Sequence, residues 1–308
     1  MGEHIRKVKE NKRDRSAFTA IMLIVMQSVL YGLGDPISKA AYEVVPLFVM
    51  LVLRYSIALI VMFLIWGKRI IEGLKQTSWR SWIVPVLCMG GAYVSNNIGL
   101  LLTQATTVAF IRSLPTIIAP LLAFIVLRRR YRGRLIPLQI AVVAGLYMLC
   151  CGKGGLGNGF GIGEAFAMLS AILLAGSLVY GEKSLEAVDP ITLSALQTIA
   201  SVAMALVGML IRGEQHSDMS WVAMPKVWIT VLYLAILCTI AGYVLQNFAL
   251  KSIQAHTVAV VQCLCPVFTA VFSWFILGER MSTFGLCGAV LILICLVLAV
   301  LLDREGED

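Results

Sequence analysis

Long apolar runs separated by short polar breaks make up most of this chain. A run of about twenty residues is long enough to cross the hydrocarbon core of a bilayer as a helix. Such runs fall near 17–38, 45–66, 82–102, 105–127, 135–151, 161–181, 191–211, 227–249, 256–277 and 283–302. The pattern predicts an all-α membrane protein with ten transmembrane helices. The third and fourth runs are nearly continuous, as are the eighth and ninth. Tight turns are therefore expected near Gln104 and Gln254, where polar side chains can meet unpaired backbone groups at the membrane edge.

One stretch occurs twice. The segment from Tyr93 to Arg130 aligns without a gap on the segment from Tyr243 to Arg280, at a constant offset of 150 residues. Tyr93, Val94, Asn97, Leu100, Gln104, Ala105, Thr107, Val108, Ala109, Leu114, Leu127 and Arg130 meet identical residues in the second copy. Chance accounts for apolar matches in such a sequence but not for the Tyr, Asn, Gln and Arg matches. The offset divides the runs five and five, and an odd number of spans per repeat inverts the second repeat relative to the first. The expected organisation is a basic cytoplasmic arm over 1–16, a first five-helix repeat over 17–152, a Gly-rich linker over 153–160, a second repeat over 161–302, and a cytoplasmic tail over 303–308. In transporters built this way the substrate lies between the repeats.

Composition agrees. The chain is 59% hydrophobic and only 14% charged, where a soluble domain carries about 25% charge. Its net charge of +8 does not indicate a nucleic-acid partner, because the cations sit between apolar runs and act on topology. Arg6, Lys7, Lys9, Lys12, Arg13 and Arg15 precede the first run; Lys68, Arg69, Lys75 and Arg80 follow the second; Arg128, Arg129, Arg130, Arg132 and Arg134 follow the fourth. These share one side, the cytoplasm, and both termini are expected there, in a bacterial inner (plasma) membrane. The bias in the second half is weak, and Arg280 falls opposite its twin Arg130. No A-x-A cleavage site follows the basic N-terminus, so the first run is expected to be a retained helix.

The eight cysteines lie in or at the ends of apolar runs, without zinc-type spacing, so neither disulfides nor a metal is expected. The glycine run from Cys151 to Gly163 looks superficially like a phosphate loop. It lacks the Gly-Lys-Ser/Thr ending and follows a membrane run, so it is expected to be a linker, with Glu164 acting as a first-turn acid at the next helix start. No cofactor is expected. HExxH, GxSxG and paired acids within runs are all absent, so an enzyme is not expected.

Leu277-Gly278-Glu279-Arg280 closes the ninth run after Pro266, and Leu127 to Arg130 closes the fourth after Pro115 and Pro120. Lys39 ends the first run, Arg54 lies in the second, and the sixth falls within the stretch from Gly161 to Lys183. In these features the chain resembles the drug/metabolite transporter superfamily, and within it the ten-helix EamA-type exporters, to whose usual sixth helix the last stretch is similar. Arg128 and Arg129 depart from the Gly-Glu of the pattern. The resemblance covers almost the whole chain. It implies export of small metabolites through a central cavity lined by the third, fourth, eighth and ninth helices with the first and sixth.

The candidate site lies on the repeated face. Tyr93, Asn97, Leu100 and Gln104 are spaced four, three and four, which puts them on one helix face; Tyr243, Asn247, Leu250 and Gln254 repeat it. Ala105, Val108, Ala109 and Arg112 share a face of the fourth run, as do Ala255, Val258, Ala259 and Gln262 in the ninth. Arg112, Gln262, Asn97, Asn247, Tyr93 and Tyr243 are the candidate substrate-binding residues. Arg112 reads either as a cation aimed at a substrate carboxylate or phosphate, or as half of a structural pair with Asp35 or Glu164. Arg54, off the repeated face, reads as structurally paired. The two asparagines bind substrate or bond across helices, and the two tyrosines stack on substrate or on each other. No acid is expected near a span midpoint, so transport is expected to be weakly coupled, or uncoupled, to protons. The leading expectation is a monomeric exporter whose partners are the lipid bilayer and a small-molecule substrate, an amino acid or organic acid. The alternatives are a nucleotide-sugar or phospho-metabolite exchanger, or a receptor or scaffold.

Overall fold

The computed structural model describes residues 2–103, 105–127, 136–150, 161–277, and 283–298 apart from 289, 292, 293, 296 and 297. Among these, all regular structure is helical. The longer helices are α1 (Gly2–Ala41), α2 (Leu47–Gln76), α3 (Ile83–Leu102), α4 (Ala105–Ile111), α5 (Pro115–Leu127), α6 (Ile136–Cys150), α7 (Ile162–Ser184), α8 (Pro190–Arg212), α9 (Pro225–Tyr233), α10 (Gly242–Leu250), α11 (Ala255–Gln262) and α12 (Leu264–Leu277). A π-helical segment, Leu234–Ala241, joins α9 to α10 without a break. Residues 283–288 continue as helix.

Seven stretches among the described residues are long and apolar enough to span a bilayer: Arg15–Ala41, Leu47–Gln76, Ile83–Leu102, Ile162–Ser184, Pro190–Arg212, Pro225–Leu250 and Ala255–Leu277. They match seven of the ten expected runs. The expected run over 105–127 is two helices separated by a turn at Arg112 to Leu114. That over 135–151 is described as α6 from Ile136, and that over 283–302 is described only in part. The linker 153–160, the tail, Gln104, and the cationic ends Arg128 to Arg130 and Gly278 to Arg280 lie outside the described residues.

The turns have clear causes. The ring of Pro115 removes an N–H and disfavours helix at the residue before it, so α4 stops and α5 starts afresh on the proline. The chain closes this break with a tight bond from Leu114 N–H to Ile111 O. In the second copy the break falls at Cys263, whose N–H bonds Val260 O between α11 and α12, and Pro266 sits in the first turn of α12, where its missing N–H is no loss. Asp189 caps α8 by accepting from Ile191 and Thr192 N–H, with Pro190 at the first helical position, and Gly213, at φ 68°, ends it. The expected turn at Gln254 is present: its extended backbone precedes α11. Glu164 reaches back to Gly161 N–H at 3.0 Å, as a first-turn acid should.

Packing is reciprocal between the halves. The first helix of the second half, α7, lies along α3, α4 and α5; the first helix of the chain, α1, lies along α10, α11 and α12; α2 lies against α8. Polar contacts collect the helix ends into two groups. In one group Lys39 at the end of α1 donates to Thr103 O at the end of α3, and Thr103 Oγ1 donates to Glu164 at the start of α7. Glu214, after α8, accepts from Phe48 and Val49 N–H at the start of α2. In the other group Arg69 pairs with Asp189 at 2.6 Å, Ser184 Oγ donates to Ser81 O, and Glu182 accepts from Ala255 N–H. So α1 ends, and α7 begins, at the same end of the bundle. Outward faces carry exposed Leu64, Ile125, Ile211 and Phe275, as lipid contact requires.

Candidate functional site

The repeated face is the inner one. Tyr93, Asn97, Leu100, Ala105, Val108 and Ala109 are buried, and so are Tyr243, Asn247, Leu250, Ala255, Val258 and Ala259. The Tyr93 and Tyr243 rings meet directly, centroids 5.2 Å apart, and Tyr31 of α1 sets its edge against Tyr93 at 5.8 Å. Twin residues of the two copies thus touch at the middle of the molecule.

Two small cavities adjoin this contact. One, of about 10 Å³, is lined by Tyr31, Asp35, Arg54, Tyr93, Asn97 and Arg112, with Asn96 and Cys238. The other, of about 30 Å³, is lined by Ser28, Tyr31, Tyr93, Arg112, Gln262 and Cys265 among others. The first has room for about one water molecule and the second for about two. Metabolite pockets are larger by about tenfold or more, so this conformation is closed around its polar centre.

Arg112 sits where α4 breaks. Its Nη2 and Nη1 donate to Asp35 at 2.8 and 3.1 Å, and Nη2 also reaches Cys265 Sγ at 2.7 Å. Thr269 Oγ1 approaches the same carboxylate at 3.5 Å. The two-pronged pair therefore joins α1 and the α4 turn of the first half to α12 of the second. Asp35 was expected near the outer end of its run. The helix continues past Pro36 to Ala41, which places Asp35 about 9 Å inside it, 8% exposed and in the cavity wall.

Gln262, the twin of Arg112, sits at the end of α11. Its Nε2 donates to Gln27 Oε1 at 3.0 Å and Gln246 Oε1 at 2.9 Å, and Gln27 in turn donates to Gln246 Oε1 and Gly242 O. Asn97 donates to Tyr93 O and accepts from the Tyr42 hydroxyl. Asn247 turns away from both cavities and donates to Ser194 Oγ and Gln197 Oε1 of α8, each at 2.8 Å. Tyr243 reaches Ser201 Oγ at 3.2 Å. Of the six candidates, Arg112, Gln262, Asn97 and Tyr93 line the cavities, Tyr243 backs Tyr93, and Asn247 serves a helix contact.

The α1 residues Gln27, Ser28, Tyr31 and Asp35 complete the site, and the repeat did not point to them. A signal existed: Gln27 and Asp35 are polar groups inside an apolar run, which need partners in a membrane. Arg54 was expected to be structurally paired. It faces no carboxylate within salt-bridge reach among the described residues; its Nε donates to Thr239 Oγ1 at 2.8 Å and its guanidinium lies 5.3 Å from the Tyr55 ring centre. No group of His, Cys, Asp and Glu among the described residues could hold a metal ion.

The EamA-like transporter family matches residues 18–151 and again residues 161–301, so its pattern covers each half of the chain in turn. The chain belongs to this family. An uncharacterized transporter of Archaeoglobus fulgidus is 27% identical to it over 235 residues, which is 71% of this chain and 76% of that protein. A second uncharacterized transporter, from Synechocystis, is 24% identical over 130 residues, 41% of this chain and 38% of its own length. A solved crystal structure covers 97% of this chain and 99% of its own with a TM-score of 0.73 at 17% identity, a likeness of fold alone. The two matched halves of the EamA-like pattern meet at the Tyr93–Tyr243 contact, and the polar centre of this EamA-like protein is built there.

Proposed function

We propose that this EamA-like protein exports a small organic metabolite, an amino acid or organic acid, by alternating access between two inverted five-helix repeats. The observation that carries this reading is that twin positions of the two copies, Tyr93 with Tyr243 and Arg112 with Gln262, gather around closed polar cavities at the centre of the molecule. Membrane transporters with inverted repeats bind substrate at the repeat interface, next to interrupted helices. Here the interruptions fall at Arg112 and after Gln262. The reciprocal packing of α1 and α7, and the meeting of the end of α1 with the start of α7, support the inversion and the ten-span count.

Opening on either side needs the two halves to rock, because the closed cavities, about 10 and 30 Å³, are too small for a metabolite. Arg112, Gln262, Asn97 and Tyr93 then face the substrate, Tyr243 sets the Tyr93 ring, and Asn247 fixes α10 on α8. The protein works as a monomer in a bacterial inner membrane with both termini in the cytoplasm, the side that its first-half cations favour. The test is uptake of a radiolabelled metabolite panel into inside-out vesicles. Accumulation that saturates and is lost on Tyr93→Ala supports the reading; absence of any carrier-dependent uptake across the panel ends it.

A further inference from the structure

The first cavity is not electrically balanced. Asp35 is cancelled by Arg112, held at 2.8 Å with side chains only 11% exposed on each partner. Arg54 lines the same cavity, 4% exposed, and its neighbours Thr239 and Tyr55 carry no opposite charge. A hydroxyl and an aromatic face offset part of the desolvation of a guanidinium, but a cation buried without a counter-charge is costly, more so in a membrane. Net, the cavity holds one positive charge.

Its depth is that of a transport site. Arg54 lies seven residues from the start of α2, Arg112 seven residues from the start of α4, and Asp35 six from the end of α1, all measured from one end of the bundle. Each is therefore about 10 Å inside, roughly a third of the way through the hydrocarbon. The wall opposite Arg54 is the π-helical segment. Its wide turn is marked by Thr239 Oγ1 bonding Leu234 O five residues back, and it brings Leu234 and Cys238 to the cavity and Thr239 to Arg54. Such segments recur at functional sites because they re-aim side chains at the cost of regular bonding.

One further group points at a ligand. Asn96 Oδ1 lines this cavity, is buried, and has no hydrogen-bond partner. An amide oxygen accepts from a ligand hydroxyl or N–H. An unmade bond of this kind is expensive in a closed interior, and one ligand would satisfy Arg54 and Asn96 at once.

We infer that Arg54 is the residue that receives the acidic group of the cargo, and that the cargo carries one net negative charge and at least one polar hydrogen. This rests on the transport reading above and narrows it to a monoanionic organic acid ahead of a zwitterionic amino acid. A monoanion leaves the loaded cavity neutral. A zwitterion leaves it with the same net positive charge, and a cation doubles it.

The experiment uses the full-length protein in proteoliposomes. Its probes are lactate, mandelate and 4-hydroxybenzoate as monoanions, alanine and phenylalanine as zwitterions, and ethanolamine and phenethylamine as cations. Transport is expected for at least one monoanion, in preference to its zwitterionic and cationic counterparts of similar size. Arg54→Gln is expected to raise KM for that monoanion by about tenfold or more, and Arg54→Lys to restore part of it, since an ammonium keeps the charge but not the fork. A preference for zwitterions overturns the inference while leaving the transport reading standing, as does unchanged charge selectivity in Arg54→Gln; a preference for cations overturns the inference and the substrate class of that reading, though not transport itself. Transport of no probe by the folded protein overturns both. Where Arg54→Gln fails to fold, the charge ranking of the unsubstituted protein decides.

Discussion

Arg112 and Asp35 form a two-pronged ion pair at the centre of the molecule, with Nη2 and Nη1 at 2.8 and 3.1 Å from the two carboxylate oxygens. The pair sits where α4 breaks before Pro115 and where α1 and α12 run side by side. Its twin position in the second copy holds Gln262 in a cluster of three glutamines. The two halves of the protein have thus kept a backbone break in common and filled it with different chemistry, charged on one wall and neutral amide on the other.

The pair makes Arg112 a different residue from its twin in a way that substitution reveals. Gln at 262 has amide partners, whereas Gln at 112 would strand Asp35. Arg112→Gln and Asp35→Asn are each expected to cost about 3 kcal/mol or more, because breaking a buried pair leaves one charge uncompensated. The double variant, which removes both charges, is expected to recover at least half of that loss. Thermal unfolding of the three variants and the parent in one detergent gives the cycle. Additive losses would mean that the two residues act independently and that the pair is not what holds α1 to the α4 turn.

Glu214 holds the start of α2 from a distance. Phe48 N–H lies 2.7 Å and Val49 N–H 3.3 Å from Glu214 Oε2, so a loop carboxylate serves two of the unpaired donors that every helix N-terminus leaves. Pro46 at the cap position offers no side-chain acceptor of its own. Glu214→Ala is expected to destabilise by about 1 kcal/mol, and Glu214→Gln by less, since an amide oxygen can still accept. Unfolding midpoints measured side by side check the order. Equal stability of Glu214→Ala and the parent would show the contact to be idle.

The arrangement of the two ends of the bundle gives a labelling test. His216 follows Glu214 and is exposed at the end where α1 stops and α7 starts, while Ser78 is exposed after α2 at the Arg69–Asp189 end. With the exposed Cys287 replaced by Ser, His216→Cys is expected to react with a membrane-impermeant maleimide in intact cells. Ser78→Cys is expected to react only after permeabilisation. The reverse pattern would overturn the cytoplasmic placement of the termini.

The repeat made the inner face legible. Identical Tyr, Asn and Ala residues at helical spacing marked the buried side of α3, α4, α10 and α11, because lipid contact does not demand matched shape and a shared interior does. Of what α1 brings, Asp35 was legible as one of two acids that could pair with Arg112, and it is the one that does; Tyr31 was not, since it reaches Tyr93 through tertiary contact across more than sixty residues of chain. The first run was expected to end near 38, yet the helix carries on through Pro36 to Ala41, because a proline in the last turns of a long helix removes one bond while the packed remainder holds. Pro115 and Pro266 were visible, but they are not twins, since Pro115 aligns on Cys265; that the breaks nonetheless fall at the matching stretches 112–114 and Cys263 is a fact of packing. Arg54 was visible as an intramembrane cation; that no described acid meets it is a fact of packing.

The closeness of α1 to α12 yields the last prediction. A methyl at Gly32 would lie 2.4 Å from Phe268 Cβ and 3.0 Å from both the Phe268 carbonyl carbon and the Thr269 nitrogen. The obstacle is backbone, which cannot swing aside as a side chain end can, so Gly32→Ala must push the two helices apart. Asp35 is one turn further along the same face, and Thr269, on the displaced helix, approaches its carboxylate. The same push therefore loosens the charged centre as well as the helix contact. Gly32→Ala is expected to cost about 1–3 kcal/mol of stability and to lower transport by impairing closure around the cavity. Gly67→Ala is the control: its added methyl would meet only Phe63 of its own helix, at 3.9 Å. With better helix propensity and no clash, it is expected to be neutral or stabilising by up to about 1 kcal/mol. Unfolding midpoints and vesicle transport of both variants decide it. If Gly32→Ala matches Gly67→Ala in both, α1 and α12 are not held at the distance described here, and the ion pair between them loses its packing support.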